Sequence, residues 1–242
     1  MSTFLDQVFR RIVLPVAGIL VLMIGIGLLL THVLPHTWPF TVEDGVNRYL
    51  ESHRTGTGVR VSEFLSGIGN TSSVVAVTAL LAAVLRLTLR RWREAIFLCL
   101  SVIAQAVVFF FTTLAIDRPR PDVHRLDPSP PTSSFPSGHT SASFALYVGL
   151  AVVLVSLARP RRLKALCWLL VLFPLAVATA RMYRGMHHPS DVLSAFLNAS
   201  LCLVVMTHAV LGSRERWKIP RVGPWSPSTS PANRRRTGTA TS

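Results

Sequence analysis

The sequence predicts an all-α fold: a polytopic membrane bundle of about six transmembrane helices, with both termini inside. Three observations predict it. Half of the 242 residues are hydrophobic, and they lie in long blocks rather than in helical or alternating patterns. Only 15% are charged, and these fall between the blocks. Lysine and arginine are shared unequally between alternate connections. A block of about 20 apolar residues is long enough to cross a bilayer as a helix.

Residues 1–11 read as a short cytoplasmic lead, followed by one membrane unit over 12–212. Its first block, Ile12–Leu34, is IVLPVAGILVLMIGIGLLLTHVL. Arg10 and Arg11 precede it, as they would a signal peptide. The block is long for a signal core and ends in THVLPH, without a small-x-small cleavage site, so it reads as a retained span. The first outer loop, about 35–67, contains TVEDGVNRYLESHR. Thr41 is placed to cap a helix there, with Glu43 and Asp44 in the first turn and Val46, Tyr49 and Leu50 on one face. That pattern predicts a helix lying on the membrane surface.

Further spans are expected at about 68–85, 95–116, 141–158, 165–180 and 190–212. RLTLRRWRE and RPRRLK are short basic inner turns between them. Residues 213–242 are rich in Pro, Ser and Arg and read as a disordered basic tail. Trp38, Trp92 and Trp168 are expected at the interfaces.

The net charge of +14 raises the question of nucleic acid, but its distribution argues otherwise. With the N-terminus inside, the inner segments carry 17 Lys and Arg and the outer segments 8. This is the positive-inside bias of a membrane protein, and it favours contact with anionic inner-leaflet lipid. Cys99, Cys167 and Cys202 all fall within apolar runs, with neither disulfide nor metal spacing, and read as packing residues. His32, His36, His53 and His208 read as interfacial polar residues.

Two outer loops carry the chemistry. The first is DRPRPDVHRLDPSPPTSSFPSGHTS, Asp117–Ser141; the second is ARMYRGMHHPSD, Ala180–Asp191. Both begin and end at spans on the same side, so they can meet at one membrane edge. Together they supply Arg118, Arg120, Arg181 and Arg184, whose planar forks suit phosphate. Ser137, Gly138 and the following hydroxyls open a span, and a helix N-terminus is an anion site. His139, His187 and His188 add proton transfer and nucleophilicity. Asp191 stands four residues after His187, within reach if a helix starts near Pro189. The carboxylate would then take Nδ1–H of His187 and leave Nε2 free. His188 is at a different register and reads as a supporting polar group. Asp117, Asp122 and Asp127 read as salt partners of nearby arginines.

These residues resemble the type 2 phosphatidic acid phosphatase family, the membrane branch of a superfamily that includes vanadium haloperoxidases. The family carries Lys, six residues, Arg-Pro; then Pro-Ser-Gly-His; then Ser-Arg, five residues, His, three residues, Asp. Here Arg120-Pro121 ends the first motif, Pro136-Ser137-Gly138-His139 is the second, and Arg181, His187 and Asp191 fit the third. The resemblance covers roughly 65–212.

The resemblance implies a lipid phosphate or diphosphate phosphatase. His187 would be the nucleophile, oriented by Asp191, and His139 the acid for the leaving group. Arg120, Arg181, Ser137 and the Gly138 backbone would bind phosphate. It implies no cofactor and no metal, and the partners would be a lipid phosphate in the bilayer and membrane lipids, not nucleic acid. Undecaprenyl pyrophosphate, phosphatidic acid and phosphatidylglycerol phosphate are the candidate substrates.

Two positions depart from the pattern: Thr113 stands where the family has Lys, and Ala180 where it has Ser. Arg118 and Arg184 are the residues placed to compensate. The departures keep open a non-catalytic lipid-phosphate binder, and the motifs do not separate a hydrolase from a phosphoryl transferase. A haloperoxidase gains nothing from six spans. Oligomeric state is not legible.

Overall fold

The structure is a computed structural model that describes residues 4–128 and 132–212; the expected tail lies outside the described residues. It is built of helices, with no strand among the described residues. Among the described residues six helices are long and apolar enough to cross a membrane, as the apolar blocks predict. In chain order the helices are α1 (Phe4–Val33), α2 (Glu43–Ser52), α3 (Gly56–Ile68), α4 (Thr71–Leu89), α5 (Arg93–Ala115), α6 (Gly138–Leu157), α7 (Arg161–Tyr183) and α8 (Pro189–Leu211). The spans are α1 and α4 to α8.

Helices α5, α6 and α8 form the centre, with α1 against α5 and α8, α4 against α5 and α6, and α7 against α3 and α6. In lipid no hydrophobic force drives helices together, so close packing of small residues has to do the work. Ala145, Gly149 and Ala151 of α6 and Ala195, Ala199 and Cys202 of α8 serve this role. A Cβ on Gly149 would stand 3.2 Å from Leu203 and 3.3 Å from Leu98. Phe97, Leu98, Val108, Leu146, Val153 and Met206 fill the core around them. Helix α7 tightens to a 3-10 turn at Trp168–Val171, just before Pro174. Pro174 has no N–H to give the carbonyl one turn back, so the regular ladder breaks there.

The first connection departs from its reading. Instead of one surface helix in a loop, it holds α2 and α3. Thr41 caps neither. It lies in a 3-10 turn, Phe40–Val42, and α2 starts at Glu43 with no side-chain cap. Helix α3 is capped by Thr55, whose Oγ1 accepts the Gly58 N–H at 3.0 Å. Val46 and Tyr49 share the outward face of α2, while Glu43 and Asn47 are buried on the inner one. The inner face is polar because α2 packs on the polar motif loops.

Candidate active site

The two motif loops meet, as expected, at the ends of α5 to α8. The turn into the second loop is Gly185, at φ +72°, where a Cβ would meet the Val123 side chain at 2.8 Å and the His124 carbonyl at 3.0 Å. Glycine alone adopts that region without cost. A cavity of about 550 Å³ opens between the loops and α3. Arg120, Gly138, His139, Arg181 and His187 all line it. Glu63, Ser66 and Asn70, from α3 and the turn after it, face them, with Phe109 and Thr113 of α5.

His187 precedes α8 and is buried. Its Nδ1 stands 2.7 Å from the Ser134 carbonyl oxygen. A carbonyl only accepts, so the neutral ring carries its proton on Nδ1 and leaves the Nε2 lone pair free. Burial pushes its pKa down to about 3, against the pull of Asp191, so the ring is neutral over the physiological range. Ser134 is itself fixed: its N–H donates to the Arg118 carbonyl at 2.9 Å and its hydroxyl to the Pro119 carbonyl at 2.9 Å.

The hydrogen bond expected between His187 and Asp191 is not formed. The nearest carboxylate oxygen is 3.9 Å from Nδ1. Asp191 is instead the third residue of α8, and its Oδ2 accepts the His188 backbone N–H at 2.8 Å. His188 is the cap of α8, with Nδ1 3.3 Å from the same oxygen. The reason is local. With Pro189 opening the helix, His187 falls outside it, and an acidic side chain three residues into a helix folds back on the cap. Asp191 therefore fixes the peptide that follows His187, not the ring.

Arg118 is likewise elsewhere than expected. Its Nη2 donates to Glu43 at 2.8 Å, and its Nη1 to Ser190 Oγ at 2.8 Å and to Asp191. It lies behind the site and does not line the cavity. Two buried carboxylates hold it there, since a buried charge must be paired. Arg184 is also withdrawn, on Asp127, the Ser62 hydroxyl and the Val59 carbonyl. Neither guanidinium replaces the missing Lys. At that position Thr113 lines the cavity, its buried Oγ1 without a hydrogen-bond partner.

The phosphate-type groups are Arg120, Arg181 and the start of α6. Arg120 Nη1 donates to the Met186 carbonyl at 2.8 Å. Arg181 Nη1 donates to Ser66 Oγ at 2.9 Å and to Asp127 Oδ2 at 2.7 Å, and its Nε is buried without a partner. Ser66, unread in the sequence, supplies a hydroxyl beside Arg181 where Ala180 lacks one. The first N–H groups of α6 have no intrahelical partner. Gly138 is held close to Phe109, where a Cβ would meet the ring at 2.7 Å. Ser137 is fully buried, with its hydroxyl 2.9 Å from Thr140 Oγ1 and its N–H on the Asp191 carbonyl at 3.3 Å. The cavity wall beside it is Pro136, Gly138 and His139. Asp127, read as a salt partner of nearby arginines, bridges Arg181 and Arg184 of the second loop. Burial raises its pKa, but the two guanidinium groups lower it further, and the net is below the usual carboxylate range.

Fold and site together define a membrane-spanning helical bundle with a basic, histidine-bearing cavity at one edge. Residues 94–215 match the PAP2 superfamily, and the chain belongs to that superfamily. It is 35% identical over 101 residues to the undecaprenyl-diphosphatase BcrC of Bacillus subtilis. The match covers 40% of this chain and 48% of that protein, so the chain spans about half the length of this curated relative. The crystal structure of the first transmembrane PAP2-type phosphatidylglycerolphosphate phosphatase from Bacillus subtilis superposes with a TM-score of 0.68 at 19% identity, over 86% of this chain and 100% of that one. The Aquifex aeolicus LpxE structure superposes with a TM-score of 0.56 at 22% identity, over 69% of this chain and 96% of that one. At these identities the structural likeness speaks to the fold.

Proposed function

We propose that this protein is a metal-independent lipid phosphatase that cleaves a membrane lipid phosphate or diphosphate at the outer face. The observation that carries the reading is His187: a neutral, buried imidazole in a basic cavity, its Nδ1–H tied to the Ser134 carbonyl and its Nε2 free. Arg120, Arg181 and the N-terminus of α6 hold the phosphoryl group. The His187 Nε2 lone pair attacks phosphorus; the P–N bond forms as the P–O bond to the lipid breaks. His139 gives its proton to the leaving oxygen. Water then attacks phosphorus, the P–N bond breaks, His139 recovers a proton, and inorganic phosphate leaves.

A lipid enters such a site by keeping its tail in the bilayer while its headgroup reaches the edge. The BcrC relative favours undecaprenyl diphosphate as substrate, with phosphatidic acid and phosphatidylglycerol phosphate the alternatives. The basic excess on the opposite connections supports an outward-facing site in a bacterial plasma membrane.

The test is phosphate release by purified protein in detergent, with and without chelator. The three lipids are offered to wild type and to His187→Ala. Release by wild type that vanishes in the variant is the expected result. No release above the variant with any lipid overturns the hydrolase reading and favours a transferase or a lipid-phosphate binder, for which the loss of Lys at Thr113 speaks. Release that stops with chelator overturns metal independence.

A further inference from the structure

We propose that α2, in the first outer connection, is part of the catalytic apparatus, and that Asn47 and Glu43 are positioning residues for His187. The proposal rests on the reading of His187 as nucleophile. His187 lies just before α8, so no helical ladder holds its backbone, and its peptide groups must find partners elsewhere. Asn47, fully buried, donates from Nδ2 to the His187 carbonyl at 3.0 Å. The Asn47 Oδ1 is buried without a partner, a desolvation cost that an apolar residue of similar size would not carry. Packing alone therefore does not explain an amide here.

Glu43, one helical turn earlier, works on the other side. Its Oε1 accepts the Ser190 N–H at 2.9 Å, one of the unpaired donors at the start of α8. Its Oε2 accepts the Ser190 hydroxyl at 3.0 Å and Arg118 Nη2 at 2.8 Å. Arg118 carries the contact onward, because its backbone carbonyl receives the Ser134 N–H, and the Ser134 carbonyl receives His187 Nδ1–H.

The contacts close a ring: Glu43, Arg118, Ser134, His187, Asn47, and back to Glu43 along α2. The imidazole is held at its ring nitrogen, its carbonyl is held by Asn47, and the next N–H is held by Asp191. Three of the four segments in this ring belong to the motif loops. The fourth is α2, which supplies both residues from its inner face.

The experiment compares wild type with Asn47→Ala, Asn47→Asp, Glu43→Gln and Val46→Ala on the best lipid substrate. It reads kcat, KM, inhibition by orthovanadate and thermal midpoint. Orthovanadate takes a fifth ligand from a nucleophile in the geometry of phosphoryl transfer, so its affinity reports the placement of His187 Nε2. Misplacement by about 1 Å costs about 100-fold in rate. The Asn47 and Glu43 variants are expected to lose about 10- to 100-fold in kcat, with vanadate affinity falling in parallel and KM within threefold. Asn47→Asp keeps the size of the side chain but exchanges the amide for a carboxyl group; Glu43→Gln, which keeps the shape and an acceptor for Ser190, holds the test if the Asn47 variants fail to fold. Val46→Ala, on the exposed face, is expected to match wild type.

An active wild type with unchanged kcat and vanadate affinity in Asn47→Asp and Glu43→Gln overturns the positioning role alone. So does a kcat loss in which vanadate affinity holds. A Val46→Ala defect equal to theirs makes α2 a membrane-surface anchor instead. An inactive wild type overturns the phosphatase reading beneath the proposal.

Discussion

Asp127→Asn tests whether the cavity carries its own competing anion. Asp127 Oδ2 stands 2.7 Å from Arg181 Nη1, and both of its oxygens also take Arg184. A phosphate arriving at Arg181 must share that donor with Asp127 or displace it. At about 6 Å and an effective dielectric of about 20, two unit charges repel by about 3 kcal/mol. The Asp127 side chain is 24% exposed, so water and salt take a large part of this, leaving about 1.4 kcal/mol, a factor of about ten. Asparagine removes the charge and keeps an acceptor for Arg184, which also retains the Ser62 hydroxyl. The variant is therefore expected to bind inorganic phosphate and lipid substrate about tenfold more tightly, read as Ki and KM at fixed salt. Because Asp127 is ionised well below this range, its own titration adds no step to the effect between about pH 5 and 8. A Ki and KM within twofold of wild type, or higher, would refute the reasoning and make Asp127 a scaffold for the arginines rather than a competitor.

Three further outcomes are expected. Arg118→Met leaves Glu43 and Asp191 buried without their cation and is expected to cost about 3–5 kcal/mol of stability, read by thermal unfolding in detergent. Gly69→Ala places a Cβ 2.8 Å from Val177 and 2.9 Å from the His139 carbonyl, so the start of α6 must shift; turnover is expected to fall about tenfold or more. The third concerns pH. His187 stays neutral in the folded protein down to about 3, whereas an unfolded histidine takes a proton near 6.5. The unfolded state then holds more protons between these values, so stability is full above about pH 6.5 and falls on acidification, by up to about 1.4 kcal/mol per unit. The thermal midpoint of wild type is expected to fall more steeply from pH 7 to 5 than that of His187→Asn. In the same range His187 itself contributes no acid limb to the rate, so an acid limb there would belong to another group.

The spans were legible because a bilayer leaves a chain few options, and apolar blocks register it directly. The motif residues were legible because Arg120, His139, Arg181 and His187 keep fixed spacings within two short loops. What escaped is what depends on docking between distant segments. Asn47 and His187 are 140 residues apart, and Glu43 and Ser190 are 147 apart. Nothing local to EDGVNRYLES says that its polar stripe will dock on the motif loops. Arg118 was read by charge alone, which does not say whether a guanidinium faces a ligand or a buried carboxylate. The His187–Asp191 pairing failed on a single boundary, since starting the helix at Pro189 moves His187 off it.

The contact between Glu43 and the start of α8 bears on how the protein is made. A chain inserted from its N-terminus has α2 in place long before Ser190 is synthesised. Through five crossings Glu43 and Arg118 can pair with each other but not with α8, and Asn47 has no His187 carbonyl to hold. The cavity is completed only when the sixth crossing arrives. A nascent chain arrested after α7 would hold Arg120, Arg181 and the start of α6 without His187, so on the proposed mechanism it would carry no premature activity while still attached to the ribosome.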